Sequence, residues 1–133
     1  MRANAAERSG KEKVFWGPLN SAVAGRTDHL PIHVPQNSHV LPADVVSSLG
    51  EGNTLHGFKV CLRTFGDYSK AKWDGESVPV VVAGGEYIIF PEAVLRIGGG
   101  DMEKGHAIID DFIVKARKTH IKTLKGLPGP KKD

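Results

Sequence analysis

Two stretches of closely spaced apolar positions set the pattern of the chain. Val78–Pro79–Val80–Val81–Val82 and Tyr87–Ile88–Ile89–Phe90 flank Ala83–Gly84–Gly85–Glu86. Their β-branched and aromatic residues suit short strands on a pleated, buried surface. Upstream, Leu30–Pro31–Ile32–His33–Val34–Pro35 and His39–Val40–Leu41–Pro42 repeat the pattern around Gln36–Asn37–Ser38. At a shift of 48 positions Pro31 meets Pro79, Val34 meets Val82, His39 meets Tyr87 and Val40 meets Ile88. The agreement runs on through Gly50 and Gly98, Gly52 and Gly100, Asn53 and Asp101, and Gly57 and Gly105. An ordered series of this kind reads as an internal duplication.

Each copy predicts a β-hairpin, a short helix and a longer helix. Asn37 in the first copy, and Gly84 and Gly85 in the second, supply the positive φ of a tight turn. The short helix begins near Pro42 or Pro91, where a missing N–H is harmless, and carries Val45, Val46 and Leu49 or Ala93, Val94 and Ile97. Gly50 and Gly98 take the place of a left-handed residue after a helix end. After the second glycine, Asn53 or Asp101 stands as N-cap of the next helix. That helix runs to about Arg63 in the first copy, with Leu55, Phe58, Cys61 and Leu62 on one side. In the second it runs to Leu124, and Ile109, Phe112, Ile113, Ala116 and His120 recur at helical spacing. Gly57 and Gly105 lie inside these helices, where each costs about 1 kcal/mol relative to Ala. Glycine at matching positions implies close backbone approach, expected where the two repeats meet.

The expected fold is α+β: a small antiparallel sheet packed by two longer helices. Residues 30–127 form a single domain of two repeats, 30–63 and 78–127, joined by a linker from Thr64 to Ser77. An extended arm, 1–29, precedes it and a basic tail, 128–133, follows. On the arm, Phe15, Trp16 and Leu19 form an apolar cluster broken by Gly17–Pro18. Large apolar side chains on a polar arm dock somewhere, either on this protein's own core or on a neighbouring subunit. As candidate partner contacts we take Phe15, Trp16 and Leu19.

Composition narrows the class. A chain of 133 residues, 40% hydrophobic and 25% charged, fits one globular domain. No apolar run approaches the roughly 20 residues of a membrane span, and the charged opening residues with Gly17 and Pro18 do not read as a secretory signal. The one cysteine, Cys61, allows no internal disulfide, in keeping with synthesis in a reducing cytoplasm. The net charge of +3 is unevenly placed. From Ile113 onward Lys115, Arg117, Lys118, Lys122, Lys125, Lys131 and Lys132 oppose Asp133 alone. Such an end suits phosphate backbones or an acidic protein surface, or is simply a solvated helix face.

Catalytic and metal signatures are not expected. Gly98–Gly99–Gly100 and Gly50–Glu51–Gly52 lack the Lys–Ser/Thr pair of a phosphate loop and read as structural turns. Of the six histidines, His33 and His39 would face each other across the first hairpin, too few ligands for a metal site. His56 and His106 fall in the two longer helices at positions that are not repeat equivalents. Cys61 lies on an apolar helix side and reads as a core residue. Glu86 and Glu92 form no acid/base pair. We therefore expect no enzyme, no metal and no cofactor.

Two segments carry a resemblance: Gly85–Glu86–Tyr87–Ile88–Ile89 followed by Pro91, and Leu41–Pro42–Ala43–Asp44–Val45–Val46 followed by Gly50–Glu51–Gly52–Asn53. The chain resembles small proteins of unassigned function encoded among the morphogenesis genes of tailed bacteriophages and prophages. A similar pattern occurs near the ends of some tail tape-measure proteins. The resemblance spans Gly25 to Pro130. It departs at Phe90, which sets the second proline one place later, and at Gln36–Asn37, which replace the usual glycine. It implies a structural component of the virion, at the neck, tail or capsid, present in many copies and acting through contacts with other phage proteins, with no catalytic residues. The alternative is a DNA-contacting protein of genome packaging or ejection that uses Arg117, Lys118, Lys122 and Lys125 on phosphates.

Overall fold

The computed structural model of the protein describes residues 13–19 and 30–126, with side chains given for 13–19 and 31–119. Most of the expected arm, the basic tail, and the side chains of His120, Lys122 and Lys125 lie outside the described residues. Within them the elements run β1 (Gly17–Pro18), β2 (Leu30–Pro35), β3 (His39–Leu41), α1 (Ala43–Leu49) and α2 (Thr54–Phe65). The second half follows the same order: β4 (Ser77–Val82), β5 (Tyr87–Ile89), α3 (Pro91–Ile97) and α4 (Met102–Gly126). The fold is α+β.

The strands do not form the expected hairpins. β2 pairs antiparallel with β4, while β3 pairs antiparallel with β5, whose other edge takes β1. There are thus two small sheets in place of the one expected, and each main ladder joins one half of the chain to the other. Ile32 stands opposite Val80 and Val40 opposite Ile88. Both pairs are 48 positions apart, so the ladders share the offset of the sequence repeat. The turns have the anticipated chemistry, with Asn37 at φ 76 and Gly85 at φ 96. They fold the chain face to face instead of edge to edge. In a hairpin Val34 and Val40 would lie on one sheet and need a separate cover. Here they sit on different sheets and join Val78, Val82 and Ile88 in one apolar cluster, so the two layers cover each other.

β3 and β5 are buried on both faces, and side chains alternate across a strand. Val40 and Ile88 face the β2/β4 layer, while Leu41, Tyr87 and Ile89 face the helices and meet Val45, Val46, Phe58, Val94, Ile109 and Ile113. The order is therefore helices, central sheet, outer sheet. Leu55, expected on the apolar side of α2, is instead 60% exposed.

The helix junctions are alike in the two halves. Asn53 accepts from the His56 N–H at 2.9 Å and Asp101 from the Lys104 N–H at 3.1 Å, the expected N-caps. Gly50 and Gly98 are not the left-handed residues, with φ −97 and −83. That conformation falls on Glu51 and Gly52, and on Gly99 and Gly100. Gly50 and Gly98 are glycines for space, because a Cβ on either would strike the carbonyl of Asn53 or Asp101 and the backbone of Gly57 or Gly105. The two helix glycines face the carbonyls of Val46 and Val94. Their close approach therefore joins short to long helix inside each half, α1 to α2 and α3 to α4, and not one repeat to the other as expected.

The segment Thr64–Ser77 is more than a linker. Thr64 and Phe65 complete α2, Arg96 Nη2 donates to the Phe65 carbonyl at 2.8 Å, and Tyr68 stacks on Phe90 with ring centroids 5.0 Å apart. Trp73 meets the same ring edge-on at 5.8 Å.

Candidate functional site

The chain places three ionisable groups in contact where α4 crosses β3. His39 opens β3 on the face turned to the helices, and His106 and Asp110 stand one turn apart on one side of α4. His39 Nδ1 lies 2.7 Å from His106 Nδ1, and His39 Nε2 lies 2.9 Å from Asp110 Oδ1. The two imidazoles stack at 5.0 Å between centroids. His39 is fully buried, His106 nearly so, and the Asp110 side chain is 62% exposed.

The influences on His39 oppose each other. Burial and, more weakly, the neighbouring His106 disfavour the imidazolium, and the carboxylate of Asp110 favours it. Burial prevails and lowers the pKa to about 4, so His39 is neutral at pH 7 and its contact with Asp110 is a hydrogen bond to a carboxylate, not an ion pair. The geometry then assigns the protons. His39 donates its Nε2–H to Asp110, which leaves Nδ1 as acceptor for the Nδ1–H of His106.

The other half of the fold holds the corresponding place without these groups. Under the 48-residue shift His39, His106 and Asp110 correspond to Tyr87, Phe58 and Leu62. Tyr87 and Phe58 are buried with centroids 6.5 Å apart, and Leu62 packs against the same cluster. One crossing of strand and helix is filled by apolar and aromatic side chains, its counterpart by a hydrogen-bonded relay. Packing alone does not demand the relay.

The sequence reading missed this site because it set His39 against His33 across a hairpin that does not form. His33 instead stands opposite Pro79. The signal was present: the shift that places His39 on Tyr87 also places His106 on Phe58, so a contact between the latter pair implies one between the former.

Other candidate groups are placed differently. Cys61 is fully buried, and burial pushes its thiol up to about 12, which keeps it protonated and unreactive. Among the described residues no group of three or more His, Cys, Asp or Glu side chains is arranged to hold a metal ion. Glu86 is partly buried, which raises its pKa, and its carboxylate accepts the Ala83 N–H at 3.2 Å. At the matching position Ser38 faces Pro35, which has no N–H to give, and the buried Ser38 Oγ has no hydrogen-bond partner among the described residues.

Of the three residues taken as partner contacts, two are engaged within the chain. β1 adds to the free edge of β5, pairing Gly17 with Ile88. This lays the Trp16 ring 4.9 Å from Phe90, and its Nε1–H donates to the Tyr68 carbonyl at 2.7 Å. Leu19 packs on the cluster between the sheets. Phe15 remains 40% exposed, with the Lys13 ammonium 5.7 Å above its ring. A cavity of about 40 Å³ lies among Trp16, Phe65, Tyr68 and Phe90, room for a water molecule but not for a metabolite.

The basic face is also partly committed. Arg117 forms a two-pronged pair with Asp44 of α1, Nε to Oδ2 at 2.8 Å and Nη2 to Oδ1 at 2.9 Å. Its hydrogen bonds hold the Asp44 carboxyl below the usual carboxylate range. Arg117 is therefore already paired, and Lys118, the other member of the four with a described side chain, is exposed. Because both partners are about half exposed, Asp44→Ala is expected to cost no more than about 1 kcal/mol in denaturant unfolding, while releasing Arg117.

No protein-family model, no curated protein and no solved structure matches this chain. Among the described residues no helix is long and apolar enough to cross a membrane.

Proposed function

We propose that the protein is a structural subunit of a tailed-phage particle, present in several copies and acting through protein–protein contacts. The observation that carries this reading is the overhang of α4. The end of α2, Phe65, corresponds to Ile113, yet α4 continues thirteen residues further, to Gly126, or about 20 Å of additional helix. Beyond Ile113, Ala116 packs against the core and Arg117 is tied to Asp44, while residues 117–119 are exposed. A helix owes most of its stability in water to tertiary packing, so an overhang of this length suits docking on a neighbour. Val114, 52% exposed near its root, adds an apolar contact. The resemblance to phage morphogenesis proteins supplies the setting.

The test is the copy number of the protein in purified particles, measured by quantitative mass spectrometry against the portal and major capsid proteins. A fixed ratio to either is expected, and absence from mature particles would overturn the proposal. The DNA-contacting alternative draws on Lys118, Lys122 and Lys125 but loses Arg117 to Asp44. It requires a duplex affinity that falls linearly on a log–log plot against salt.

A further inference from the structure

We propose that the Asp110–His39–His106 relay is an acid-sensitive latch that holds α4 on β3 at neutral pH and releases it when both imidazoles are protonated. The geometry allows one proton between the two Nδ1 atoms, which lie 2.7 Å apart. With a single shared proton one ring donates and the other accepts. A second proton turns the acceptor into a donor, so two N–H groups point at each other and two positive charges meet out of water. The contact is then lost and the rings separate, and their separation means the separation of β3 from α4.

Among the described residues Asp110, from α4 itself, is the carboxylate that reaches His39, and it holds the Nε2 side, away from the facing Nδ1 atoms. Asp44 of α1 is held by Arg117, Arg96 of α3 is committed to the Phe65 carbonyl, and Glu92 of α3 is exposed at the first turn of its helix. On β5, Tyr87 stays neutral because burial raises its pKa.

The sign follows from linkage. The folded value for His39, about 4, lies below the ordinary 6.5, so between these limits the unfolded chain binds more protons and stability rises with pH. The latch is fully closed above about 6.5 and loosens as pH falls toward about 4. The apolar counterpart, Tyr87 on Phe58, has no such dependence in this range, so one half of the fold opens while the other holds.

Amide hydrogen exchange of the full chain at pH 7 and pH 5, corrected for intrinsic exchange, tests the latch together with ¹⁵N chemical shifts of the imidazoles. At pH 7 we expect a protonated Nε2 on His39 and a protonated Nδ1 on His106. On acidification protection should fall at least tenfold in β3 and around Ile109–Ile113 of α4, and remain unchanged in the β2/β4 ladder. The triple variant H39Y/H106F/D110L, which copies the residues of the other crossing, should keep its α4 protection at pH 5. Should that variant fail to fold, His106→Asn keeps a donor toward His39 but cannot become charged, and it should blunt the acid response. Loss of protection spread evenly over the molecule, or His39 titrating at the ordinary 6.5, would overturn the proposal.

Discussion

Phe90→Ala is expected to remove about 3–5 kcal/mol of stability, the range for deleting a large buried aromatic side chain. Phe90 is the ring on which three aromatic side chains from two separate parts of the chain converge. Trp16 reaches it from the segment before β1, Tyr68 and Trp73 from the stretch between α2 and β4, all with centroids within 6 Å. Its position just before α3 uses ordinary extended backbone, φ −63 and ψ 144, so alanine keeps the local conformation and the loss is one of packing. Because domains of this size are stable by about 5–15 kcal/mol, the variant should unfold at a markedly lower denaturant midpoint. An unchanged dependence on denaturant would show that the surface exposed on unfolding is the same. The two tryptophans in the protein are both partners of Phe90, so a red shift of native-state emission should accompany the loss. Phe15→Ala, at an exposed ring, should cost only a few tenths of a kcal/mol. If Phe90→Ala cost less than about 1 kcal/mol, the convergence on this ring would be mere proximity, and Trp16 would be held by its bond to the Tyr68 carbonyl.

The aromatic cluster also shows why sequence reasoning stopped where it did. Caps, turns and helix starts depend on neighbours three or four positions away, and they were legible. Asn53 and Asp101 cap their helices, and Asn37 and Gly85 take positive φ. Strand partnership depends on what covers a face, and the turn residues are silent on that. Asn37 serves a turn between layers as well as one within a sheet. The clue lay in the strands themselves: Tyr87–Ile88–Ile89–Phe90 is apolar without alternation, the mark of a strand buried on both faces. Such a strand needs a second layer, which a single sheet under helices does not provide. Tyr68 and Trp73 were passed over because their flanks are polar and turn-rich, although two large aromatics in such a stretch already point to docking. The relay was hidden for a related reason. His39 and His106 are 67 positions apart and meet only because β3 of one half lies under α4 of the other, a consequence of pairing across the repeat. The pairing of Arg117 was hidden likewise, since its partner Asp44 lies in the opposite half.

The second large effect falls on the helix glycines, where two contributions of opposite sign compete. Gly57→Ala and Gly105→Ala each gain about 1 kcal/mol of helix propensity. Against this, the added Cβ would overlap the carbonyl of Val46 or Val94 and press on the Cγ1 of the same valine. A flexible side chain could yield, but the obstacle is backbone within another helix, and that helix is fixed in turn by Gly50 or Gly98 against the start of the long helix. Overpacking of a tight contact costs about 1–3 kcal/mol and occasionally more, and an immovable carbonyl belongs at the upper end. Each variant should therefore be destabilised by a net ~2 kcal/mol, measured by denaturant unfolding. The halves supply an internal control, because the two glycines meet the same atoms of equivalent residues. Near-equal losses are expected. If both variants were stabilised, propensity would have won, and the short helices would have to slide on the long ones without loss. In that case the glycines would mark no contact, and the matching crossings α1 on α2 and α3 on α4 would be looser than their geometry implies.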